Sequence, residues 1–303
     1  MIWYNDLNDG IILSTRIRLA RNIDKTPFPS RLKDKKKVRE MLSDSILKSN
    51  STLSKDFTLY ELSKLSQSEK TAMTEEHLIS PQMINDNEGA VLVNKDKTMS
   101  IMLMEEDHIR LQIIKGGYAL DEAYDLADKV DDVMEESLTY AFDEKFGYLT
   151  ACPTNAGTGM RASVMMHLPA LVMTGNISRV LQSFSGMGIA VRGMYGEGTN
   201  ADGALYQISN SITLGLSEQE IIEKLKVVVN KISDMEKQAR EMLMNNRKDD
   251  FTDKLMRSYG ILKYAVKITS QEAKTMLSEV MLAQNMGIIE CNGKMTPLEL
   301  MIK

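Results

Sequence analysis

Four short segments carry the side chains that could do chemistry. In Ser14-Thr15-Arg16-Ile17-Arg18-Leu19-Ala20-Arg21, an extended strand puts Ser14, Arg16 and Arg18 on one face and Thr15, Ile17 and Leu19 on the other. Two neighbouring guanidinium groups repel unless a polyanion such as a triphosphate lies between them, although a solvated edge-strand face would read the same way. The second segment, Glu105-Glu106-Asp107-His108-Ile109-Arg110, suits an exposed turn. If it stays extended, Glu106, His108 and Arg110 share a face, a carboxylate beside a phosphate-binding cation. The third, Cys152-Pro153-Thr154-Asn155-Ala156-Gly157-Thr158-Gly159-Met160-Arg161-Ala162-Ser163, reads as a glycine-bearing loop between a strand and a helix. Such a loop offers backbone N–H groups to an anion, with Arg161 near the helix start. Cys152 is either a buried structural thiol or a reactive one. The fourth, Val191-Arg192-Gly193-Met194-Tyr195-Gly196-Glu197-Gly198, carries Arg192 from a strand end into a glycine-rich turn that exposes Glu197. There is no Walker loop, and no GxGxxG opens a βαβ unit.

The elements that must position these groups are legible from periodicity. Strands are expected at 11–19, 57–62, 146–151, 189–192 and 204–212, and an antiparallel hairpin at 90–104 turning through Asn94-Lys95-Asp96-Lys97. Helices are expected at 34–48, 120–142, from Arg161 to Pro169, at 177–184, and from Ser217, where Glu220 completes a capping box. The polar run Asn245-Asn246-Arg247-Lys248-Asp249-Asp250 reads as a linker to a mostly helical remainder. Strands at hairpin spacing among helices of varied length favour an α+β domain with a mainly antiparallel sheet over residues 1–245, followed by a smaller helical unit over 246–303.

Composition narrows the class. The chain has 303 residues, 37 basic and 42 acidic side chains and a formal charge of −5, which argues against nonspecific binding to nucleic acid or anionic membranes. No stretch has the length and apolarity of a membrane span or the layout of a signal peptide, so a cytoplasmic location is expected. Two cysteines and 3 histidines make neither a disulfide framework nor a convincing zinc site, and no dedicated metal ligands are assigned. Arginines are scarce beside lysines, yet Arg16, Arg18, Arg110, Arg161 and Arg192 all fall in the four segments above.

Together the four segments, in this order, closely resemble the motif set of ATP:guanido phosphotransferases, the phosphagen kinases. His77-Leu78-Ile79-Ser80-Pro81, the run Ser163 to Leu171 and Tyr206-Gln207-Ile208-Ser209-Asn210 resemble the bacterial protein-arginine kinase branch, and the likeness runs from about Ile11 to Ile289. The resemblance implies a glutamine-synthetase-like α+β catalytic domain with a short helical C-terminal domain. It implies that Arg16, Arg18, Arg110, Arg161 and Arg192 clamp the phosphates of ATP. Ser14, Thr15, Ile17, His77, Ala162, Ser163, Val164, Met165, Gly193, Met194, Tyr195, Gly196 and Glu197 would complete the nucleotide site, with Mg2+ arriving on the nucleotide. Glu106 and Glu197 would orient and deprotonate the acceptor guanidinium, and Cys152 would sit against it as a thiolate that aligns it.

Only 13 residues precede Ser14, where small-molecule guanidino kinases carry a helical domain, so an open cleft and a protein arginine as acceptor are expected. The branch resemblance further implies an activator protein, Clp-type proteolysis of the marked proteins, a heat-shock repressor as target and a homodimer. Met104 stands where the family has Asn, Ala156 where it has a branched residue, and residues 199–203 lack a Glu common among relatives. The sequence to Lys303 contains no Arg-Asp-x-x-Arg-Ala segment, the segment that in the resembled branch forms a phosphoarginine-sensing pocket, so whether such sensing operates here stays open at this point. Two other readings stay open at this point, a small-molecule guanidino kinase and a catalytically weak adaptor with the same fold.

Overall fold

The computed structural model describes residues 10–193, 201–290 and 295–302. In chain order these form β1 (Ile12–Arg21), α1 (Lys35–Leu47), β2 (Phe57–Glu61), α2 (Gln67–Glu75), β3 (Ala90–Asn94), β4 (Met99–Leu103), β5 (Ile109–Gly116) and α3 (Leu120–Glu135). There follow the short pair β6 (Phe142–Asp143) and β7 (Gly147–Tyr148), then β8 (Met160–His167), α4 (Pro169–Met173), α5 (Ile177–Ser183), β9 (Ile189–Gly193) and β10 (Leu205–Asn210). Four helices close the chain: α6 (Glu218–Asn246), α7 (Lys248–Tyr264), α8 (Ser270–Asn285) and α9 (Pro297–Ile302). Eight strands pair antiparallel in the order β2-β3-β4-β5-β1-β8-β10-β9, as the hairpin spacing predicts.

Alternation decides which face each side chain takes. Ile17, Leu19, Leu111, Ile113, Ala162, Val164 and Ile208 point to the side covered by α1, α3 and α6 and form the principal core with their apolar stripes. Each fully buried aliphatic side chain there contributes about 1.5 to 3 kcal/mol. The opposite face is covered only at its ends. Leu62, Leu78, Ile79 and Met83 lie over Val91, Val93 and Met102 at one end. Leu277, Met281, Leu298 and Met301 lie over Leu13, Ile114 and Leu205 at the other. The strip left between these two clusters is where the arginines stand.

Several expectations need correction. The segment from Arg161 is strand β8, not a helix: it pairs with β1 and β10, and its residues alternate, Met160, Ala162, Val164 and Met166 toward the core and Arg161, Ser163 and Met165 toward the opposite face. The long helix stops at Glu135 instead of Phe142, because the chain beyond it pairs with the end of β1 through an Ile23–Tyr140 bridge and the Ala141 N–H to Asn22 carbonyl bond (2.7 Å). The strand expected at 146–151 shrinks to β7, held by β6 and by Gly157. The polar run at 245–250 is helical on both sides of a single break at Arg247, and Phe251 and Leu255 of α7 join the principal core. The capping box at Ser217 and Glu220 is present.

Candidate active site

Pair register brings the separate motifs onto one face. Arg16 lies opposite Ile114 and Ser163, Arg18 opposite Gln112 and Arg161, and Ala20 opposite Arg110. Gln207 of β10 lies opposite Met165 on one side and Arg192 on the other. Directly opposed residues share a face, so Ser14, Arg16, Arg18, Arg110, Arg161, Ser163, Met165 and Arg192 project into the uncovered strip. Four strand spacings from β5 to β9 make the strip about 19 Å across. It holds a cleft of about 430 Å³ lined by all five arginines, Glu105, Glu106, Asp107, Cys152 and Asn155. A smaller hollow of about 200 Å³ shares Arg16, Arg192 and Gln207 with it and adds Ser14, His77, Ile114, Ser163, Met165 and Gly193.

The electrostatics are those of an anion site. Among the described residues Arg16, Arg18, Arg161 and Arg192 have no carboxylate partner, and the buried Nε atoms of Arg16, Arg18 and Arg161 have no hydrogen-bond acceptor. Burial, then the charges of Arg110 and Arg161, pushes the Arg16 pKa down to about 10. Burial and the neighbouring Arg16, Arg110 and Arg161 hold Arg18 well below the usual arginine range. Burial and Arg192 lower Arg161 as well. Always-charged groups crowded and desolvated in this way are stabilised by a polyanion lying among them. Arg110 differs: one of its terminal nitrogens donates to both oxygens of Glu105, at 2.6 and 2.7 Å. Burial opposes the Glu105 charge, but Arg110 outweighs it and the carboxyl stays below its usual range.

Glu106 is exposed to the cleft, and burial followed by the charges of Asp107 and Glu105 pushes its carboxyl above the usual range. Cys152 is half-buried, with its Sγ 3.0 Å from the Thr154 hydroxyl. His77 takes a left-handed backbone (φ 59), and burial followed by Arg16 lowers its pKa to about 4, so its imidazole is neutral beside the arginines. Two placements differ from the extended reading of residues 105–110. Met104 turns the chain with φ 65 and its N–H donates to the His108 carbonyl, so Glu106, His108 and Arg110 do not share a face. His108 is buried beneath the cleft, its Nδ1 accepting from the Ile23 N–H (3.1 Å) and its Nε2 donating to the Pro27 carbonyl (3.0 Å). An Asn at position 104 would adopt this left-handed φ more readily than Met does.

The side chains of Thr15, Ile17, Ala162 and Val164 lie on the core face and do not reach the cleft. The Thr15 hydroxyl instead donates to the Gly117 carbonyl (2.8 Å) and accepts from the Ala119 N–H at the start of α3. With β8 a strand, Arg161 reaches the cleft from the sheet and not from a helix N-terminus. Met194, Tyr195, Gly196 and Glu197 lie outside the described residues.

Sequence reasoning missed the groups that hold the two reactive segments together. Buried Asn22 donates to Asp107 Oδ1 (2.6 Å) and the Leu149 carbonyl (3.0 Å), and its own Oδ1 accepts from the His108 N–H (2.9 Å). Asp107 Oδ1 also accepts from the Ala151 N–H (2.7 Å), so one Asn–Asp pair joins the Glu106 bend to the Cys152 segment. Arg21 pairs with Asp131 (2.7 Å), donates to the Thr158 carbonyl (2.9 Å) and stacks 3.6 Å from the Tyr148 ring centroid, fixing the Cys152 loop to α3. A signal was present for both: polar residues at the apolar end of a central strand need buried partners.

Comparison with known proteins agrees with this geometry. Residues 37–239 match the model of the ATP:guanido phosphotransferase C-terminal catalytic domain, and residues 248–303 match that of the protein-arginine kinase McsB C-terminal domain. A protein-arginine kinase of Caldanaerobacter subterraneus is 50% identical over 282 residues, 92% of this chain and 84% of the relative. One from Clostridium acetobutylicum is 50% identical over 292 residues, 95% of this chain and 86% of the relative. Among solved structures, lombricine kinase superposes with a TM-score of 0.67 at 25% identity, covering 78% of this chain and 69% of that one. The duplicated taurocyamine kinase of Schistosoma mansoni with bound transition-state analogue components shares the fold, with a TM-score of 0.64 at 24% identity over 77% of this chain and 33% of that one. One face of an antiparallel sheet carrying five arginines beside an exposed carboxylate, and relatives matched along nearly the whole chain, lead to one conclusion: the chain belongs to the ATP:guanido phosphotransferase family, in its protein-arginine kinase branch.

Proposed function

We propose that the protein transfers the γ-phosphate of ATP to the guanidinium of arginine side chains in other proteins, forming phosphoarginine. The observation that carries this is the sheet face on which Arg16, Arg18 and Arg161, whose buried Nε atoms have no acceptor among the described residues, stand beside Glu106, an exposed carboxylate with raised proton affinity. The small hollow at His77, Ile114 and Met165 takes the nucleoside, with the neutral imidazole as a flat uncharged surface. Arg16, Arg18, Arg110, Arg161 and Arg192 take the phosphates. Phosphoryl transfer needs mainly positioning and charge neutralisation, which fixed guanidinium groups supply.

The acceptor enters at Glu106 and Cys152. A guanidinium nitrogen is a poor nucleophile while protonated, because its pKa exceeds about 12. As it attacks the γ-phosphorus, the bond from that phosphorus to the β-γ bridging oxygen breaks, ADP leaves and the nitrogen's proton passes to Glu106. Glu197 is the second carboxylate of the proposal, and Cys152 aligns the acceptor without covalent chemistry. Among the described residues no cluster of three or more His, Cys, Asp or Glu could hold a metal, and Glu105 is engaged by Arg110. A magnesium ion therefore fits here as one held by phosphate oxygens and water with at most one or two cleft carboxylates, supplying charge neutralisation. The Clp-linked fate of the marked proteins, a heat-shock repressor as target, an activator, a homodimer, a cytoplasmic setting and a division near residue 245 belong to the same proposal and follow from the branch resemblance.

The test pairs wild type with Glu106→Gln. Both bind MgATP alike, and only wild type produces an acid-labile phosphoarginine on a protein such as casein. Equal transfer by the variant would remove Glu106 from the mechanism. Phosphorylation of free arginine with none on protein would replace this reading by a small-molecule guanidino kinase.

A further inference from the structure

Helix α2 ends with a histidine at a position that favours glycine. The Leu78 N–H donates to the Met73 carbonyl (2.8 Å) and the His77 N–H to the Thr74 carbonyl (2.9 Å), the crossed pair of bonds that commonly closes a helix. Leu78 and Met73 sit in one apolar cluster, a contact that often accompanies this ending. The left-handed residue of the ending is His77 (φ 59), in a conformation that glycine takes without strain and a residue with a side chain does not. Strained backbone of this kind persists only where its surroundings fix it.

The fixing group comes from the sheet. Gln112 lies on β5 opposite Arg18 of β1 and Ser100 of β4, so its side chain shares the face of the arginines. It is 5% exposed, and its amide donates to the His77 carbonyl (2.5 Å), with the Ser100 hydroxyl at 3.4 Å. Leu78, Ile79 and Met83 also seat this segment on the sheet, but apolar contacts are non-directional and do not fix a peptide group in place. An exposed Glu76–Lys97 pair (2.7 Å) joins α2 to the β3–β4 turn, where water screens it. The buried amide bond therefore fixes where the His77 peptide stands, and with it the imidazole that lines the smaller hollow. Along β5, Arg110 lines the cleft and Ile114 the hollow, and Gln112 stands between them.

We infer that Gln112 is a positioning residue for nucleotide binding: by holding the His77 carbonyl it sets the imidazole at the nucleoside end of the site, and it acts on the nucleoside of ATP and not on the phosphates. This rests on the proposed use of the hollow at His77 for the nucleoside. Removing the amide leaves a buried carbonyl without its donor and a left-handed residue without its anchor, so the peptide relaxes and the imidazole leaves its place. Arg16, Arg18, Arg110 and Arg161 stand on paired strands whose backbone ladder does not depend on the Gln112 side chain, and they stay where they are.

The experiment measures dissociation constants by calorimetry for MgATP and for magnesium tripolyphosphate, a phosphate chain without a nucleoside. Wild type, Gln112→Met, His77→Gly and the double variant are compared, with steady-state KM and kcat for ATP and thermal melts to confirm folding. Gln112→Met is expected to weaken MgATP about tenfold and raise KM for ATP by a similar factor, with kcat and tripolyphosphate binding within about twofold of wild type. His77→Gly suits the backbone and removes the imidazole, so it should show the same selective loss. The double variant should bind MgATP no more weakly than His77→Gly alone, because Gln112 acts through His77. If Gln112→Met does not fold, Gln112→Asn, whose amide falls one methylene short of the carbonyl, takes its place with the same expectation. Unchanged MgATP binding, an equal loss of tripolyphosphate, or additive effects in the double variant overturn the inference while the nucleoside placement and the transfer reading stand. Unchanged MgATP binding by His77→Gly overturns the nucleoside placement itself, and the inference with it.

Discussion

Replacing Arg16 by methionine should make the empty protein more stable while destroying its nucleotide site. A guanidinium held at about 10 in place of 12.5 is destabilised in its charged form by about 3 kcal/mol, from burial first and then from Arg110 and Arg161. Its Nε has no acceptor among the described residues, so little hydrogen bonding is lost with it. Methionine keeps most of the stem's length and packing, and part of the relief is offset by rearrangement of the neighbours. A net gain of about 1 to 2 kcal/mol is expected, a rise in melting temperature of about 2 to 6 °C. The same substitution removes charge-assisted bonds worth about 1.5 to 3 kcal/mol each to a phosphate. Two such bonds lost, about 3 to 6 kcal/mol, weaken MgATP by about 100-fold or more. Differential scanning fluorimetry with and without MgATP reads both effects: the empty variant melts above empty wild type, and the upward shift on adding nucleotide nearly vanishes. Arg16→Lys, which keeps the charge without the planar fork, should show neither the full stabilisation nor full binding. An empty Arg16→Met protein that melts below wild type, or one that binds MgATP normally, would refute the reasoning that this face is strained for want of an anion.

Asn22→Ala should cost about 2 to 4 kcal/mol and lower kcat about 10 to 100-fold with little change in KM for ATP, because the Glu106 bend and the Cys152 segment lose their common tie; steady-state kinetics and denaturant melts check this. Glu106 has its carboxyl pushed up, so kcat/KM should fall on acidification at a pH above the ordinary glutamate value. Glu105→Gln should move that limb to lower pH by removing one neighbouring negative charge and freeing Arg110. All 3 histidines are held below their usual range by burial, His77 at about 4 with Arg16 as second cause. Their neutral forms are favoured in the fold, so stability is fully present above about pH 6.5 and falls as the pH drops toward 4, about 3 kcal/mol of it from His77; urea melts across that window measure it.

The two faces of β1 were legible in the sequence because strict alternation separates Ser14, Arg16 and Arg18 from Thr15, Ile17 and Leu19, and burial follows that division. The motifs named Glu106, Cys152 and three further arginine-bearing segments, and strand register brings those arginines onto the face of Arg16 and Arg18. Strand β8 was misread although Met160, Ala162, Val164 and Met166 alternate with Arg161, Ser163 and Met165, because the glycine-bearing loop before it suggested an anion-binding turn into a helix. The expected face shared by Glu106, His108 and Arg110 failed at Met104, whose left-handed backbone is a tertiary choice that local propensity opposes. Asn22 and Arg21 were invisible as positioning groups because their partners, Asp107 and Asp131, are 85 and 110 residues away.

The central claim is transfer of a phosphoryl group from ATP to an arginine on a protein at the Glu106 end of the arginine face. Mass spectrometry at neutral pH, after incubating wild type with MgATP and an equimolar mixture of casein and free arginine, tests it most directly. The account predicts phosphoarginine on casein, its loss in acid, its absence with Glu106→Gln, and little or no phosphorylated free arginine. Phosphorylation confined to free arginine, or phosphoarginine formed equally by Glu106→Gln, would contradict it.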